Sequence, residues 1–342
     1  MKSDLKKTIL RLLCLVGALA ACGGGYSADN TVYKFIFSHN EAADTSTHDV
    51  VANAIVAYLN EHAPGRFKCE IYHSGQLGVD RENIESVQEG TITMTGQSTP
   101  VQVTFVPSAA VFDAPFAYRT IEDALALVKD KAFIGRMNSE FEAAGFKQGL
   151  WVVAGYRHLT TNKNIQQISD IKRLKIRTME NPYHMALWKC LDATPTPLAS
   201  SEIFTALQQG TVDGQENDYG VIFMKDLHSV QKYVTETHHL VAFNSYILNL
   251  GWYNGLPADL KAVFDKALTY AQQKGEDFSL KSQDDFKKKI ENSGVVINYF
   301  TAEQIGQMKE ICASVYDLIK NSTGMNPDVF NAFNATLKKI YG

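Results

Sequence analysis

Arg177 is the residue of this 342-residue chain whose type and position best suit chemistry with an anion. It ends a short apolar segment of strand type (174–177), so its side chain is expected at the tip of a strand. A guanidinium is planar, always charged, and binds a carboxylate through two parallel hydrogen bonds. The residue therefore suggests a carboxylate site, whereas a surface arginine paired with Glu180 stays open as the alternative.

Patterns for catalysis and metal binding are weak by comparison. The sequence contains no Gly-x-Ser-x-Gly, Gly-x-Gly-x-x-Gly or Walker A segment. His238 and His239 are neighbours in a strand pattern and should point to opposite faces, so they are not expected to share a metal ion. His48, near a predicted helix start, could lie on a solvated helix face or at the mouth of a cleft. We therefore predict a protein that is not an enzyme and has neither a metal site nor a cofactor.

Composition and charge fit a globular protein with a substantial core. The chain is 45% hydrophobic and 20% charged, and its length favours two domains. Removing residues 1–21, which hold four basic residues and one acidic residue, changes the formal charge from −4 to −7. A net-acidic chain without a basic run is a poor nucleic-acid binder. An anionic ligand would consequently need a local cationic pocket.

The N-terminus has the order of a secretory signal. Basic residues precede an apolar run, 12–21, that is too short to span a bilayer. Because the segment that ends at Cys22 resembles a bacterial lipobox, we expect residues 1–21 to be a lipoprotein signal peptide and Cys22 to be lipidated. Glycine-rich residues 22–31 predict a flexible tether. An ordinary cleaved signal with an incidental cysteine is the alternative.

Three cysteines remain beyond the signal and the lipidation position: Cys69, Cys190 and Cys312. Their number is odd and their spacing is not that of metal ligands. Buried thiols are the simplest interpretation. A Cys190–Cys312 disulfide stays open.

Hydrophobic periodicity predicts two successive α/β series. In the first series the predicted strands are 32–37, 67–72, 91–95 and 150–154, and the predicted helices are 47–62, 84–90 and 121–144. In the second series the predicted strands are 174–177 and 239–251, and the predicted helices are 183–191, 201–210, 257–292, 301–320 and 327–340. We expect Ser200 or Ser201 to cap the helix that ends at Gly210.

Two α/β units joined by more than one crossing segment predict a two-lobed clamp with mainly parallel sheets, a hinge and a long bracing helix. The predicted lobe I comprises residues 32–154 and 243–282, and lobe II comprises residues 155–242 and 283–342. Ligands of such sheets bind at the carboxyl ends of the strands, so the site is expected in the cleft between the lobes.

Residues 174–219 resemble the substrate-binding subunits of tripartite ATP-independent periplasmic (TRAP) transporters, the DctP-like family. The similar segments are Gly75-Gln76-Leu77-Gly78, Phe112-Asp113-Ala114-Pro115-Phe116, Gly155-Tyr156-Arg157-His158, Lys175-Ile176-Arg177, Thr194-Pro195-Thr196-Pro197, Ser201-Glu202-Ile203-Phe204 with Thr205-Ala206-Leu207-Gln208, and Val212-Asp213-Gly214-Gln215-Glu216-Asn217. The resemblance covers roughly residues 32–340. It implies a periplasmic-binding-protein-like fold.

The resemblance also implies roles for individual residues. Arg177 matches the family arginine that forms a salt bridge with the ligand carboxylate, Arg157 matches a second cleft arginine, and Asn217 matches an asparagine that hydrogen-bonds the same end of the ligand. The other positions implied to face the ligand are Asn40, Gln97, Glu180, Ser200, Tyr219 and His239. Further candidates at the same cleft are Gln76, Asp80 and Arg81.

Two departures from the family pattern concern the pocket. Ser200 stands where relatives often carry a large aromatic residue, which implies more room for the ligand. Asp218 follows Asn217 where relatives usually have proline. If Asp218 points inward it would favour a ligand with hydroxyl or amino groups; a solvent-facing side chain is the alternative.

The function implied by the resemblance is that of a periplasmic solute receptor. It would be a monomer that binds a small organic carboxylate and delivers it to the membrane subunits of a TRAP permease, with its own membrane contact through the lipid on Cys22. A ligand-loaded partner of a sensor receptor is one alternative. The other is an exported enzyme with Glu180 and Glu216 as an acid–base pair, although an arginine-rich cleft would lower their pKa values.

Overall fold

The computed structural model describes residues 31–342, and the predicted signal peptide and lipidated Cys22 lie outside that range. The strands are β1 (Tyr33–Ser38), β2 (Phe67–Tyr72), β3 (Met94–Ser98), β4 (Phe146–Thr161), β5 (Lys175–Thr178), β6 (Thr194–Pro197), β7 (Gly214–Asn217), β8 (Tyr233–Asn249) and β9 (Val296–Tyr299). The helices are α1 (Thr47–His62), α2 (Asp80–Glu89), α3 (Ile121–Lys129), α4 (Lys131–Ala143), α5 (Pro182–Cys190), α6 (Ile203–Gln208), α7 (Tyr219–Met224), α8 (Leu250–Asn254), α9 (Ala258–Asn292), α10 (Ala302–Ile311), α11 (Ala313–Lys320) and α12 (Pro327–Tyr341).

All nine strands of the described chain belong to one sheet, which confirms the α/β class. Its order is β2-β1-β3-β8-β4-β7-β5-β6, and β9 pairs with β8. The short strands pair in parallel, as predicted: β1 with β3, and β5 with β6 and β7. The short strand β9 also pairs in parallel with the long strand β8. The long strands β4 and β8 instead run antiparallel to each other and to β7 and β3.

The long strands β4 and β8 connect the β1–β3 part of the sheet to the β5–β7 part. They pair from Phe146 opposite Asn249 to Thr161 opposite Tyr233. One register shift lies between Val153 and Gly155, where the glycine has a φ of 139° that disfavours other residues. The predicted lobe boundaries, 154/155 and 242/243, fall at this shift. The arrangement is consistent with a two-lobed clamp, and the division into lobes remains a prediction.

Helix α9 is the predicted bracing helix, and it contacts both parts of the sheet. Ser279 hydrogen-bonds Thr47 of α1 at 2.8 Å between hydroxyls. One turn later, Gln283 Nε2 donates to the Ala154 carbonyl on β4 at 2.8 Å. Lys287 Nζ then pairs with Glu236 Oε1 on β8 at 2.7 Å. Its 35 residues therefore connect α1 with the long strands β4 and β8.

Several predicted boundaries need correction. The helix predicted over 121–144 is interrupted at Asp130, whose carboxylate accepts hydrogen bonds from the Ala132 and Phe133 amides and caps α4. The helix predicted over 301–320 is likewise divided, at Cys312. Neither Ser200 nor Ser201 caps α6, because these residues lie in a 3-10 turn that precedes it.

The three cysteines of the described chain are free thiols. Cys69 lies on β2, as its alternating pattern predicted. Cys190 Sγ lies 3.5 Å from the Ser314 hydroxyl, and Cys312 Sγ donates to the Leu187 carbonyl at 3.7 Å. Burial raises the pKa of the Cys312 thiol to about 12.

Candidate functional site

A cavity of about 950 Å³, including its mouth, lies where the carboxyl ends of the parallel strands meet. The residues that line it from the first α/β series are Asn40, Glu41, His48, Val79, Asp80, Arg81, Gln97, Ser98, Val101 and Thr104. Those from the second series are Arg177, Met179, Glu180, Leu198, Ala199, Ser200, Ser201, Asn217 and Val221. Six predicted ligand positions are thus brought together here: Asn40, Gln97, Arg177, Glu180, Ser200 and Asn217.

Arg177 is a buried cation without a carboxylate partner. Its side chain is 2% exposed, and its Nε and Nη2 atoms donate to the Leu198 carbonyl oxygen at 3.0 and 2.5 Å. No carboxylate of residues 31–342 lies within 4.0 Å of the guanidinium. Burial lowers the pKa of Arg177 to about 10, so the group stays charged at neutral pH. The alternative of a surface pair with Glu180 is therefore wrong.

Asn217, the last residue of β7, provides an amide near Arg177. Its Nδ2 donates to Gln215 Oε1 at 2.7 Å, and the side chain is 5% exposed at the cavity wall. β5 and β7 are parallel neighbours. Arg177 and Asn217 therefore lie at adjacent strand ends, as predicted.

Asp80 and Asn40 form the polar wall contributed by α2 and the segment after β1. Asn40 Nδ2 donates to Asp80 Oδ1 at 2.7 Å. Burial, and then the negative charge of Glu41, raises the pKa of Asp80 to about 6. The side chain of Gln97 is held in place by hydrogen bonds from its Nε2 to the Thr95 hydroxyl and to the Asp80 backbone carbonyl. This wall is acidic, in contrast to the Arg177 side.

Glu41 lines the cavity and pairs with Lys225 at 3.3 Å, with both side chains largely buried. Glu180 and Ser200 are more accessible than Arg177, at the rim of the cavity. Sequence reasoning missed Glu41, although it directly follows the candidate Asn40. Leu198 was missed for another reason: it contributes a backbone carbonyl, which its side-chain type does not reveal.

Three residues that were expected to face the ligand lie outside the cavity lining: Arg157, Tyr219 and His239. Arg157 donates to Glu216 through Nε at 2.6 Å and Nη2 at 3.0 Å, and His239 Nε2 lies 3.0 Å from the same carboxylate. Tyr219 instead donates its hydroxyl to Glu236. Side chains alternate between faces along β7, so Glu216 and its partners lie on the face opposite Asn217.

The charge of Glu216 is stabilised by its buried partners. Burial opposes ionisation, but the Arg157 charge and hydrogen bonds with His184 and His239 hold the pKa of Glu216 well below its usual value. His184 bridges to Asp113 at 3.3 Å through its other nitrogen. The group therefore forms a closed ionic network behind the cavity. Glu180 lines the cavity, whereas Glu216 lies in this network and outside the cavity lining. The two carboxylates therefore do not form an acid–base pair.

His48 lines the cavity and is buried, so the solvated-face alternative is wrong. Its Nδ1 lies 2.9 Å from the Tyr246 hydroxyl, and burial lowers its pKa to about 3. The imidazole is consequently neutral at physiological pH. Of the further candidates, Asp80 and Arg81 line the cavity and Gln76 does not.

A second chamber of about 450 Å³, including the space open to solvent, adjoins the cavity and shares Glu41, His48, Ser98 and Val221 with it. Asp218 lines this chamber and not the main cavity. Its Oδ1 accepts from the Val221 amide at 3.2 Å and caps α7. Asp218 is therefore buried rather than solvent-facing, and its carboxylate serves the backbone.

Within residues 31–342, no group of three or more His, Cys, Asp or Glu side chains could hold a metal ion. In the same range, none of the helices has both the length and the apolar content that crossing a bilayer requires.

Comparison with known proteins gives a consistent family match. The family model described as "Bacterial extracellular solute-binding protein, family 7" (DctP) matches residues 37–322. A solute-binding protein of Verminephrobacter eiseniae is 37% identical over 227 residues, which is 66% of this chain and 68% of that protein.

Two solved structures share the fold. A TRAP periplasmic solute-binding protein of a Polaromonas species, bound to D-erythronate, has a TM-score of 0.82 and 31% identity over 89% of this chain and 98% of that one. The sugar acid binding protein DctPAm of Advenella mimigardefordensis, in complex with galactonate, has a TM-score of 0.85 and 25% identity over 90% of this chain and 99% of that one.

Proposed function

This chain belongs to family 7 of the bacterial extracellular solute-binding proteins, as its sequence resemblance predicted, and we propose that it captures a small organic carboxylate through Arg177 and delivers it to a TRAP-type permease. Proteins of this family are solute receptors, which confirms that the chain is not an enzyme.

The observation that carries the proposal is the unpaired charge of Arg177. A buried cation without an adjacent carboxylate is unfavourable, and its Nη1 atom has no hydrogen-bond partner among residues 31–342. A ligand carboxylate would supply the missing negative charge and accept hydrogen bonds from the free N–H groups of the guanidinium. The amide of Asn217, at the end of the adjacent strand, would complete the hydrogen bonds at that end of the ligand.

The bound acids of similar proteins support a carboxylate as the ligand. D-Erythronate and galactonate, found in the Polaromonas and Advenella proteins, each carry a single carboxylate. Asn40, Gln97, Glu180 and Ser200 would contact the remainder of the ligand. Arg157, Tyr219 and His239 would support the binding strands through the ionic network and contacts beside it, without touching the ligand.

Closure of the two predicted lobes would trap the ligand. Glu41 and Lys225 belong to different predicted lobes, 32–154 with 243–282 and 155–242 with 283–342, and their ion pair bridges them. Ligand contacts from both lobes would add to this bridge and favour the closed form. We propose that the permease subunits recognise that closed form.

We also propose that the mature protein is a periplasmic monomer anchored by lipid at Cys22. Cys22→Ser is expected to yield a chain that leaves the membrane fraction, whereas the unchanged protein should stay with it. Intact mass of the anchored chain should include acyl groups on Cys22. An unmodified mature N-terminus would contradict the anchor and leave the receptor function standing.

A ligand screen of the purified protein tests the function. A ligand that binds only the native state raises the melting temperature. D-Erythronate, galactonate, pantoate and succinate are compared with erythritol, the uncharged counterpart of D-erythronate. At least one acid should raise the melting temperature and be recovered unchanged, while erythritol should not. A melting temperature that none of the acids raises would overturn the proposal, whether or not erythritol raises it.

A further inference from the structure

We infer that the cavity selects a polyhydroxylated monocarboxylate and rejects a second carboxylate, with Asp80 as the specificity-determining residue. This inference rests on the proposed function, since it concerns the end of the ligand opposite Arg177.

The supply of cations in the cavity is the first argument. Two cationic side chains line it, Arg177 and Arg81. Arg81 Nε already pairs with Glu85 at 3.0 Å, and its guanidinium lies over the Phe105 ring. Lys225, beside the cavity, is paired with Glu41. Arg177 is thus the cation of this lining without a carboxylate partner, so one carboxylate can be neutralised there and a second cannot.

The acidic wall is the second argument. Asp80 lies farther than 4.0 Å from Arg177, on the part of the cavity formed by the first α/β series. Asn40 donates to its Oδ1, whereas its Oδ2 has no hydrogen-bond partner among residues 31–342. A free carboxylate oxygen accepts hydroxyl hydrogens well and repels another carboxylate.

The state of Asp80 at neutral pH is the third argument. Its pKa of about 6 leaves the group mostly ionised at pH 7.5. Glu41, which raises that pKa, lies at the same wall and is itself paired with Lys225. A hydroxyl-rich tail can donate to Asp80, while the second carboxylate of a diacid would meet the Asp80 carboxylate without an unpaired cation to neutralise it.

Matched pairs of acids test this selectivity. D-Erythronate and meso-tartrate differ only by oxidation of the terminal CH₂OH to a carboxylate, as do galactonate and galactarate. Dissociation constants are measured by calorimetry at pH 7.5. The wild type should bind the better monoacid at least 10-fold more tightly than its diacid partner.

Two variants attribute the selectivity to Asp80. Asp80→Asn keeps an acceptor for Asn40 and removes the charge, and it should reduce the monoacid-to-diacid ratio about 10-fold. Glu89→Gln removes a charge from an exposed position on the same helix and should leave the ratio unchanged. Equal binding of both members of a pair, or an unchanged ratio in Asp80→Asn, would overturn the inference.

The outcomes also separate this inference from the proposed function. If acids bind in an Arg177-dependent manner but diacids or acids without hydroxyl groups are preferred, the inference fails and the receptor function stands. If no acid binds at all, both fail.

Discussion

Arg157 contacts both carboxylate oxygens of Glu216, through Nε at 2.6 Å and Nη2 at 3.0 Å. Arg177, on the strand on the other side of β7, has the Leu198 carbonyl as its acceptor instead. The sheet therefore buries two arginines, of which one has a carboxylate partner and the other does not. The charge of Arg157 is neutralised within the protein, whereas no carboxylate of residues 31–342 lies within 4.0 Å of the Arg177 guanidinium.

The two arginines should respond differently to replacement. Arg177→Met is expected to leave the ligand-free protein as stable as the wild type, or more stable by about 1–3 kcal/mol, because a poorly solvated charge is removed. Arg157→Met should lower the free energy of unfolding by about 3–5 kcal/mol, because it leaves the buried Glu216 carboxylate without its arginine partner. Urea unfolding of both variants checks this difference. Equal destabilisation would make Arg177 a structural residue.

The ionic network should make stability depend on pH through His184. Burial favours the neutral imidazole, but hydrogen bonds to Asp113 and Glu216 raise the pKa of His184 above its usual value. The protonated form therefore stabilises the fold fully below the unfolded pKa of about 6.5. That contribution is lost as pH rises through the higher folded pKa.

The measurement is the difference in unfolding free energy between wild type and His184→Gln across pH 5.5–9. The difference should be largest at the acidic end and decline as pH rises. A difference that stays constant or grows with pH would contradict protonation of His184 in the folded protein.

Gly275 allows α9 to approach α1 and β4 closely. An added Cβ would lie 2.7 Å from Val51 Cγ2 and 2.9 Å from Val152 Cγ2, and β-branched side chains yield little. Gly275→Ala should therefore lower stability by about 1–3 kcal/mol despite its better helix propensity. At Gly306 on α10 an added Cβ would meet nothing within 4 Å. Gly306→Ala should therefore raise stability by up to about 1 kcal/mol. Thermal unfolding of both variants measures these changes in stability. A Gly275→Ala variant that is more stable than the wild type would contradict the close packing of α9.

Local patterns predicted much of the fold because most elements obey one periodicity. The bounds of α1 and β2 agree with the predicted 47–62 and 67–72. The prediction for β4 covered only five of its 16 residues. Polar residues such as Arg157 and His158 ended the apparent strand, although both are buried. Their partners lie far along the chain, so no local signal reports that these polar groups belong to a strand interior.

The site shows the same limit. The strand-end positions of Arg177 and Asn217 were predictable, because a terminal residue of a parallel strand lies at the sheet edge where ligands bind. Sequence alone could not give Arg157 and Arg177 different roles, since the family resemblance implied that both arginines lie in the cleft. The difference lies in the pairing of β4 with β7, which brings Glu216 to Arg157 across 59 positions.

Calorimetric titration of wild type, Arg177→Lys and Arg177→Ala with the acid that stabilises the wild type most tests the central claim directly. Arg136→Lys, at an exposed arginine, is the matched control. Two charge-assisted hydrogen bonds contribute about 1.5–3 kcal/mol each, so Arg177→Ala should weaken binding at least about 100-fold. Arg177→Lys should also weaken it, because an ammonium cannot form the two-pronged contact, whereas the control should bind as the wild type does. A dissociation constant of Arg177→Ala within twofold of the wild-type value would contradict carboxylate capture by Arg177.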